Sequence, residues 1–309
     1  MDVSDISLGS VMLLEIGTGV SGNVFLLLFY AHMAFSRHKL SSSDLILTHL
    51  ALVNIIMLLT YGIPEIISAW GWKNFLDTAG CKIILYIYRV GRDLVICTTC
   101  LLSIFQAITI SPGTSRWAGV KAKLPKYILP SFVVFWVLNL LIDVNSLVYV
   151  TGPQNSTTVL ITFDLKYCSI TILSAEAALL NAIMLSGRDL SFLGLMSLAS
   201  GYMVFVLYGH HRRVRHLHGP GGSPRTMPEV QAAKRVITLV TLYVLLYGRQ
   251  SIMFSVLLKR KEKSPLLVKI HMVMSFGFPV ISPFLVILSD RRTRTFWKRQ
   301  STISTVDSS

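Results

Sequence analysis

Residues Cys81–Pro112 read CKIILYIYRVGRDLVICTTCLLSIFQAITISP. The run opens on a cysteine and closes at Ser111-Pro112. From Leu94 to Ile110 it has no charged residue, while its first half carries Lys82, Arg89, Arg92 and Asp93. It is long enough to cross a bilayer as a helix. A charge inside hydrocarbon is costly unless it is paired or wetted, so a span charged along one half marks a functional segment.

The rest of the chain has the same character. Its 309 residues are 52% hydrophobic and only 14% charged, where a soluble domain carries about 25%. The apolar residues are gathered into long runs, which indicates an integral membrane protein. Lys and Arg exceed Asp and Glu by 29 to 15, for a net charge of +14. In a soluble protein that excess would suggest nucleic acid. In a membrane protein it belongs to cytoplasmic loops facing anionic lipid, so no nucleic-acid partner is expected.

Seven runs are long and apolar enough to span: approximately Leu8–Met33, Asp44–Ser68, Cys81–Ile110, Tyr127–Val150, Leu190–Tyr208, Val236–Leu258 and Leu266–Ser289. The expected fold class is therefore all-α, a single seven-helix bundle over residues 1–309. Ile170–Leu185 is shorter and interrupted by Glu176 and Asn181; it reads as a loop or an outward extension of the fifth helix. Met1–Ser10 carries no basic residue, so the first span is expected to serve as its own targeting signal.

Charge sets the orientation. The connections at Arg37–Lys39, Arg116–Lys126, Arg212–Arg235 and Arg291–Arg299 carry 2, 4, 6 and 5 basic residues, 17 of the 29. With seven alternating helices all four fall on one side, which is then the cytoplasm. The N-terminus lies outside and the tail, 290–309, inside. Lys259-Arg260-Lys261-Glu262-Lys263 falls on the outer side as an exception. Asn155-Ser156-Thr157, the chain's one N-x-[ST] sequon, falls in the second outer loop, making Asn155 a glycosylation candidate. Cys81 and Cys168 both face the oxidising compartment and are expected to form a disulfide rather than stay two free thiols.

Several motifs imitate chemistry. Gly17-Thr18-Gly19-Val20-Ser21-Gly22, followed by Asp44, has dinucleotide-site spacing. No strand precedes it, however, and small residues for close helix packing explain it better. Cys97-Thr98-Thr99-Cys100 lies mid-span without the setting a redox pair requires, and reads as buried thiols. The run His210–His218 is rich in guanidinium groups that oppose a metal ion, and reads as a solvated basic loop. No nucleophile–base constellation stands out, so no enzymatic activity, cofactor or metal is expected. Polar residues remain within the spans. Asn23 and Asn54 are expected to hydrogen-bond between helices. Arg89 and Asp93, four apart, can meet on one helical face.

This layout resembles a G-protein-coupled receptor. Gly22-Asn23-Val24 and Leu50-Ala51-Leu52-Val53-Asn54 match general motifs of that class. Asn54 stands where the large rhodopsin-like branch has an acidic residue. The Asp-Arg-Tyr of the third helix is absent, with Phe105-Gln106-Ala107 near that level, and Ser282-Pro283-Phe284-Leu285-Val286 replaces Asn-Pro-x-x-Tyr. These departures are similar to the vomeronasal type 1 receptors. The resemblance rests on Ile96–Ser103 and Gln106–Pro112, then on Arg188-Asp189-Leu190, Gly194-Leu195-Met196, Gly201-Tyr202-Met203-Val204, His210-His211, Pro224-Arg225, Pro228-Glu229 and Phe278-Pro279. Bitter taste receptors share the layout and lack the CTTCLLS…QAITISP block, which makes them the runner-up. A small seven-helix transporter would show two related halves, and none are visible.

The resemblance implies a chemosensory, pheromone-type receptor of the plasma membrane that couples to an inhibitory-class heterotrimeric G protein. A small molecule is expected to enter from outside and meet Glu65, Tyr88, Arg89, Arg92 and Arg249. The three arginines tilt the expected ligand toward acidic or strongly accepting molecules. Gln106, Arg116, Arg212 and Arg213 are the residues expected to face the G protein.

Overall fold

The structure is a computed structural model. It describes residues 3–36, 40–72, 74–112, 117–152, 161–164, 167–172, 175–218, 228–259, 273–290 and 292–293. The described chain is mostly helical: α1 (Val3–Phe35), α2 (Ser42–Ala69), α3 (Thr78–Ile110), α4 (Ala118–Asp143), the short α5 (Ser146–Tyr149), α6 (Ala175–His218), α7 (Pro228–Lys259) and α8 (Gly277–Ser289). Among the described residues five helices are long and apolar enough to cross a membrane, in α1, α2, α3, α4 and α6. The chain is a multi-pass membrane protein.

Local chemistry sets the helix ends. Ser41 caps α2 by accepting from the Asp44 amide, and the Asp44 carboxylate accepts in return from the Ser41 amide, a reciprocal capping box. Asp77 caps α3 by accepting from the Gly80 amide at 2.8 Å. The helix α6 does not stop at Tyr208 but continues to His218, so the His/Arg run expected as a loop is helical. Gly209 alone does not break a helix; the chain meets its Gly-Pro pair only at Gly219-Pro220. Basic residues also suit a helix C-terminus.

The apolar segment after Ser169 divides between a strand and the start of α6. Strands β1 (Val150–Thr151), β2 (Ile161–Asp164) and β3 (Ser169–Ile172) form a small antiparallel sheet in the order β1-β3-β2. Val150 pairs with Ile170, and Asp164 with Ser169. The sheet is fastened to the start of α3, where the Gly152 amide donates to the Thr78 hydroxyl at 3.1 Å.

The centre of the bundle is α3. Of its most apolar window 78% is buried, against 11% for α4 and 11% for α6, whose outer faces are left for lipid. Leu94, Ile96 and Leu102 of α3 pack into one core with Tyr30, Leu50, Met203, Val240 and Phe278. Lipid tails are as apolar as leucine, so close packing and hydrogen bonds must hold such helices together. Both occur where α1 meets α8. A Cβ on Gly19 would strike Val280, and one on Gly22 would press on Pro283. This is the small-residue contact expected of that glycine run. Pro283 has no N–H to give the Pro279 carbonyl one turn back. Asn23 supplies the missing donor at 2.9 Å, and Asn54 donates to Asn23 and to Ser282, both at 3.1 Å.

Candidate functional site

At one end of the bundle Cys81 of α3 is bonded to Cys168, just before β3, with their Cα atoms 5.7 Å apart. Cys97 and Cys100 are free and buried. The bridge brings the neighbouring Tyr167 over the bundle, where its hydroxyl donates to Glu65 at 3.0 Å. Burial pushes the Tyr167 phenol well above its ordinary pKa, and the Glu65 carboxylate pushes it further. It therefore stays a donor at any physiological pH. Glu65 is itself buried, and Tyr88 stacks on Tyr61 at 4.4 Å. These two candidate residues thus belong to an aromatic and carboxyl cluster closed by the loop.

Below it lies a charged layer joining three helices. Arg92 reaches Asp189 at 2.5 Å and Asp93 at 3.6 Å; Arg188 reaches Asp93 at 2.5 Å and Asp189 at 3.4 Å. Arg89 does not meet Asp93, as its four-residue spacing allowed. It turns to Asp143 of α4 at 3.8 Å, while Asp93 is taken by α6. The physical reason is proximity across helices: α3 is surrounded, and both faces of this turn find a partner helix. Asp143, Arg188 and Asp189 were not among the expected site residues. The repeated Arg-Asp dipeptide at 92–93 and 188–189 was the available signal.

Beside this layer is a cavity of about 30 Å³, walled by Met57 of α2, Arg92 and Val95 of α3, Tyr243 and Leu246 of α7 and Phe278 of α8. Arg92 is the only charged residue on its wall among the described residues. The volume suits roughly two waters, so a larger guest has to move the walls apart. Arg249 lies further along α7; its side chain is outside those described.

Lower in the bundle α2, α3 and α4 are tied through one histidine. Trp136 donates to Nε2 of His49 at 3.0 Å, which puts the imidazole proton on Nδ1, 2.9 Å from the Thr98 hydroxyl. Thr98 is then an acceptor there and donates to the Leu94 carbonyl.

The opposite end carries a second charged cluster. Arg292 reaches Asp44 at 2.9 Å and Asp290 at 3.2 Å, and Arg235 of α7 reaches Asp290 at 3.6 Å. Burial works against the Arg292 charge, but the hydrogen bonds and charges of Asp44 and Asp290 outweigh it and hold the guanidinium above its usual pKa. Gln106 is buried and donates to the Ser43 hydroxyl at 2.7 Å, joining α3 to the start of α2. Arg212 is exposed on α6, and Arg213 follows it with its side chain outside those described. Arg116 and Asn155 lie outside the described residues.

Known proteins match this chain over nearly its full length. The model of the vomeronasal organ pheromone receptor family matches residues 6–299. Vomeronasal type-1 receptor 3 of Homo sapiens is 39% identical over 289 residues, covering 93% of this chain and 92% of its own. Olfactory receptor class A-like protein 1 of Danio rerio is 35% identical over 295 residues, covering 95% and 92%. Vomeronasal type-1 receptor 4 of Homo sapiens is 38% identical over 284 residues, covering 91% and 94%. A match of this extent, on a helical membrane bundle with a bridged third helix, shows that the chain belongs to the vomeronasal organ pheromone receptor family.

Proposed function

We propose that this protein is a chemosensory receptor of the plasma membrane that converts binding of a small molecule, of the pheromone kind, into activation of an inhibitory-class heterotrimeric G protein. Its bundle has seven spans, with the disulfide end and N-terminus outside and the residue 290–309 tail in the cytoplasm. The charge of the connecting loops supports this orientation. Glycosylation at Asn155 fits the same side.

The observation that carries the reading is the position of α3. One turn of it, at Arg92 and Val95, lines the cavity, and its far end, at Gln106, is bonded to the start of α2. A guest lodged among α2, α3, α7 and α8 touches the helix that also reaches the other face. A ligand shifts the population of two bundle arrangements only by binding one of them better. The cavity is small here, so the expanded arrangement is the one a guest favours. Expansion among these helices loosens the far cluster at Arg235, Asp290, Arg292 and Asp44 and uncovers the buried Gln106, and Gln106, Arg116, Arg212 and Arg213 are the residues that meet the G protein. Glu65, Tyr88, Arg89, Arg92 and Arg249 take part in ligand binding.

The test is nucleotide exchange on an inhibitory-class G protein in cells expressing the receptor, exposed to a panel of volatile and steroidal molecules. Agonist-dependent exchange, lost in Arg92→Ala and Arg249→Ala variants that still reach the surface, supports the reading. Solute flux without nucleotide exchange would overturn it in favour of a transporter.

A further inference from the structure

The helix α4 carries its charge at one end, the end remote from the disulfide. Lys121, Lys123 and Lys126 are all exposed near its start, and the chain has no Asp or Glu from Leu94 to Ile142. None of these lysines has an ion-pair partner among the described residues. The acids Asp44 and Asp290 at this end are already engaged by Arg292, and Asp290 also by Arg235.

The lysines head a bare apolar stripe. At the α-helical repeat Lys123, Tyr127, Val134 and Leu141 lie within about 40° of one another around α4, and Lys126 and Val137 follow its adjoining edge. Tyr127, Val134, Val137 and Leu141 are 60%, 51%, 50% and 66% exposed. The opposite face is the one that packs, with Phe132 stacked on His49 and Asn139 donating to Cys97. From Lys123 to Leu141 the stripe runs about 27 Å, close to the roughly 30 Å of a hydrocarbon core. The lysines therefore stand at headgroup level, and Tyr127, one turn inward of Lys123, sits where interfacial aromatic residues collect.

Acyl chains cover such a stripe in any bilayer; its lysine end adds a choice of headgroup. Positive side chains near a helix start are opposed by the helix dipole, and α4 has no acidic residue in its first turn to offset them. A phosphate placed there relieves both the repulsion among the lysines and that from the dipole. Phosphatidylcholine brings its own quaternary ammonium along with its phosphate, whereas phosphatidylserine keeps a net negative charge. We infer that this face of α4 is a docking site for an anionic phospholipid, with the phosphate between Lys123 and Lys126 and the acyl chains along the stripe to Leu141. The lipid braces a helix that is tied to α3 through Trp136, His49 and Thr98, and through Asp143 and Arg89. The orientation proposed above puts this end in the cytoplasmic leaflet, where anionic lipid is concentrated.

The test is native mass spectrometry of the full-length receptor in detergent, titrated with dioleoylphosphatidylserine or dioleoylphosphatidylcholine. A lysine at the membrane surface is worth about fivefold in affinity for anionic lipid. With Lys123 and Lys126 both in contact, the serine lipid is expected to bind about thirtyfold more tightly than the choline lipid. Lys123→Gln combined with Lys126→Gln should bring that ratio down to about fivefold or less. Lys82→Gln combined with Arg212→Gln removes the same charge elsewhere and should leave the ratio unchanged. Equal binding of the two lipids by the unaltered receptor overturns the inference, as does a preference that survives the Lys123/Lys126 variant. A preference lost equally in the control pair also overturns it, because a diffuse field and not a site is then at work. A polyglutamate peptide that binds the unaltered receptor through these lysines, with no preference between the lipids, assigns the face to an acidic protein partner instead. Micelles have no sidedness and the readout is binding, so these outcomes stand apart from the proposed orientation and from nucleotide exchange.

Discussion

Arg92 of α3 reaches Asp189 of α6 at 2.5 Å. Arg188 of α6 returns the contact to Asp93 of α3, also at 2.5 Å. Two Arg-Asp dipeptides thus exchange partners across one helix interface. Removing one member strands its partner in a site with little water, at a cost of about 3–5 kcal/mol. Asp189→Ala and Arg188→Ala should therefore lower the thermal midpoint of the purified receptor by several degrees. Arg188→Met combined with Asp93→Leu should lose less than the sum of the two single changes. Additive losses in that cycle would show that the two residues do not act as a pair.

The disulfide closes a long loop. Cys81 and Cys168 are 87 residues apart, and a chain-entropy model gives such a bridge a stabilisation of about 4.6 kcal/mol. It also places Tyr167 over Glu65. Cys81→Ser and Cys168→Ser should each sharply reduce surface expression. Cys97→Ser, at a free and buried thiol, should stay near the unaltered level. Flow cytometry on an N-terminal epitope tag measures all three.

Asn54 carries a load that an apolar residue cannot. It joins α1 to α8 through Asn23 and Ser282, and such bonds inside a membrane are worth about 0.6–1.7 kcal/mol each. Asn54→Leu should lower the thermal midpoint by a few degrees. Asn23→Ala should cost at least as much, because it also leaves the Pro279 carbonyl without the donor that Pro283 fails to provide.

At the end remote from the disulfide, Arg235 ties α7 to the end of α8 through Asp290. If that end opens on activation, Arg235→Gln should raise nucleotide exchange in the absence of ligand. The paired exchange Arg235→Asp with Asp290→Arg should bring it part of the way back. Unchanged basal exchange in Arg235→Gln, at equal surface expression, would remove this contact from the activation mechanism.

Much of this protein is legible in its residues because a bilayer leaves few options. A span must be long, apolar and helical, so composition and run length suffice to recognise a helical membrane protein. The block from Ile96 to Pro112 is specific enough to point to the family. The spans expected from Asp44 and Cys81 begin a few residues earlier, where Ser41 and Asp77 cap α2 and α3. The charged layer is not legible at that level. Arg89 and Asp93 satisfy the helical spacing rule, yet each finds its partner on another helix. Arg188 and Asp189 lie just before an expected span, and only the repeat of the Arg-Asp dipeptide hinted at them, although α6 carries them inside a continuous helix.

The class of the molecule and its family follow from the chain alone, because hydrophobic length and local motifs are properties of contiguous residues. Which charges pair is a matter of the folded bundle. That outcome depends on how α4 and α6 sit against α3, and so on distances between residues such as Arg92 and Asp189, which lie far apart along the chain. The stretch from Cys81 to Pro112 looks like a cationic wall when taken alone. Surrounded by its neighbours it is one side of an ion-paired layer shared with α4 and α6, since Coulomb energy follows separation in space and not order along the chain.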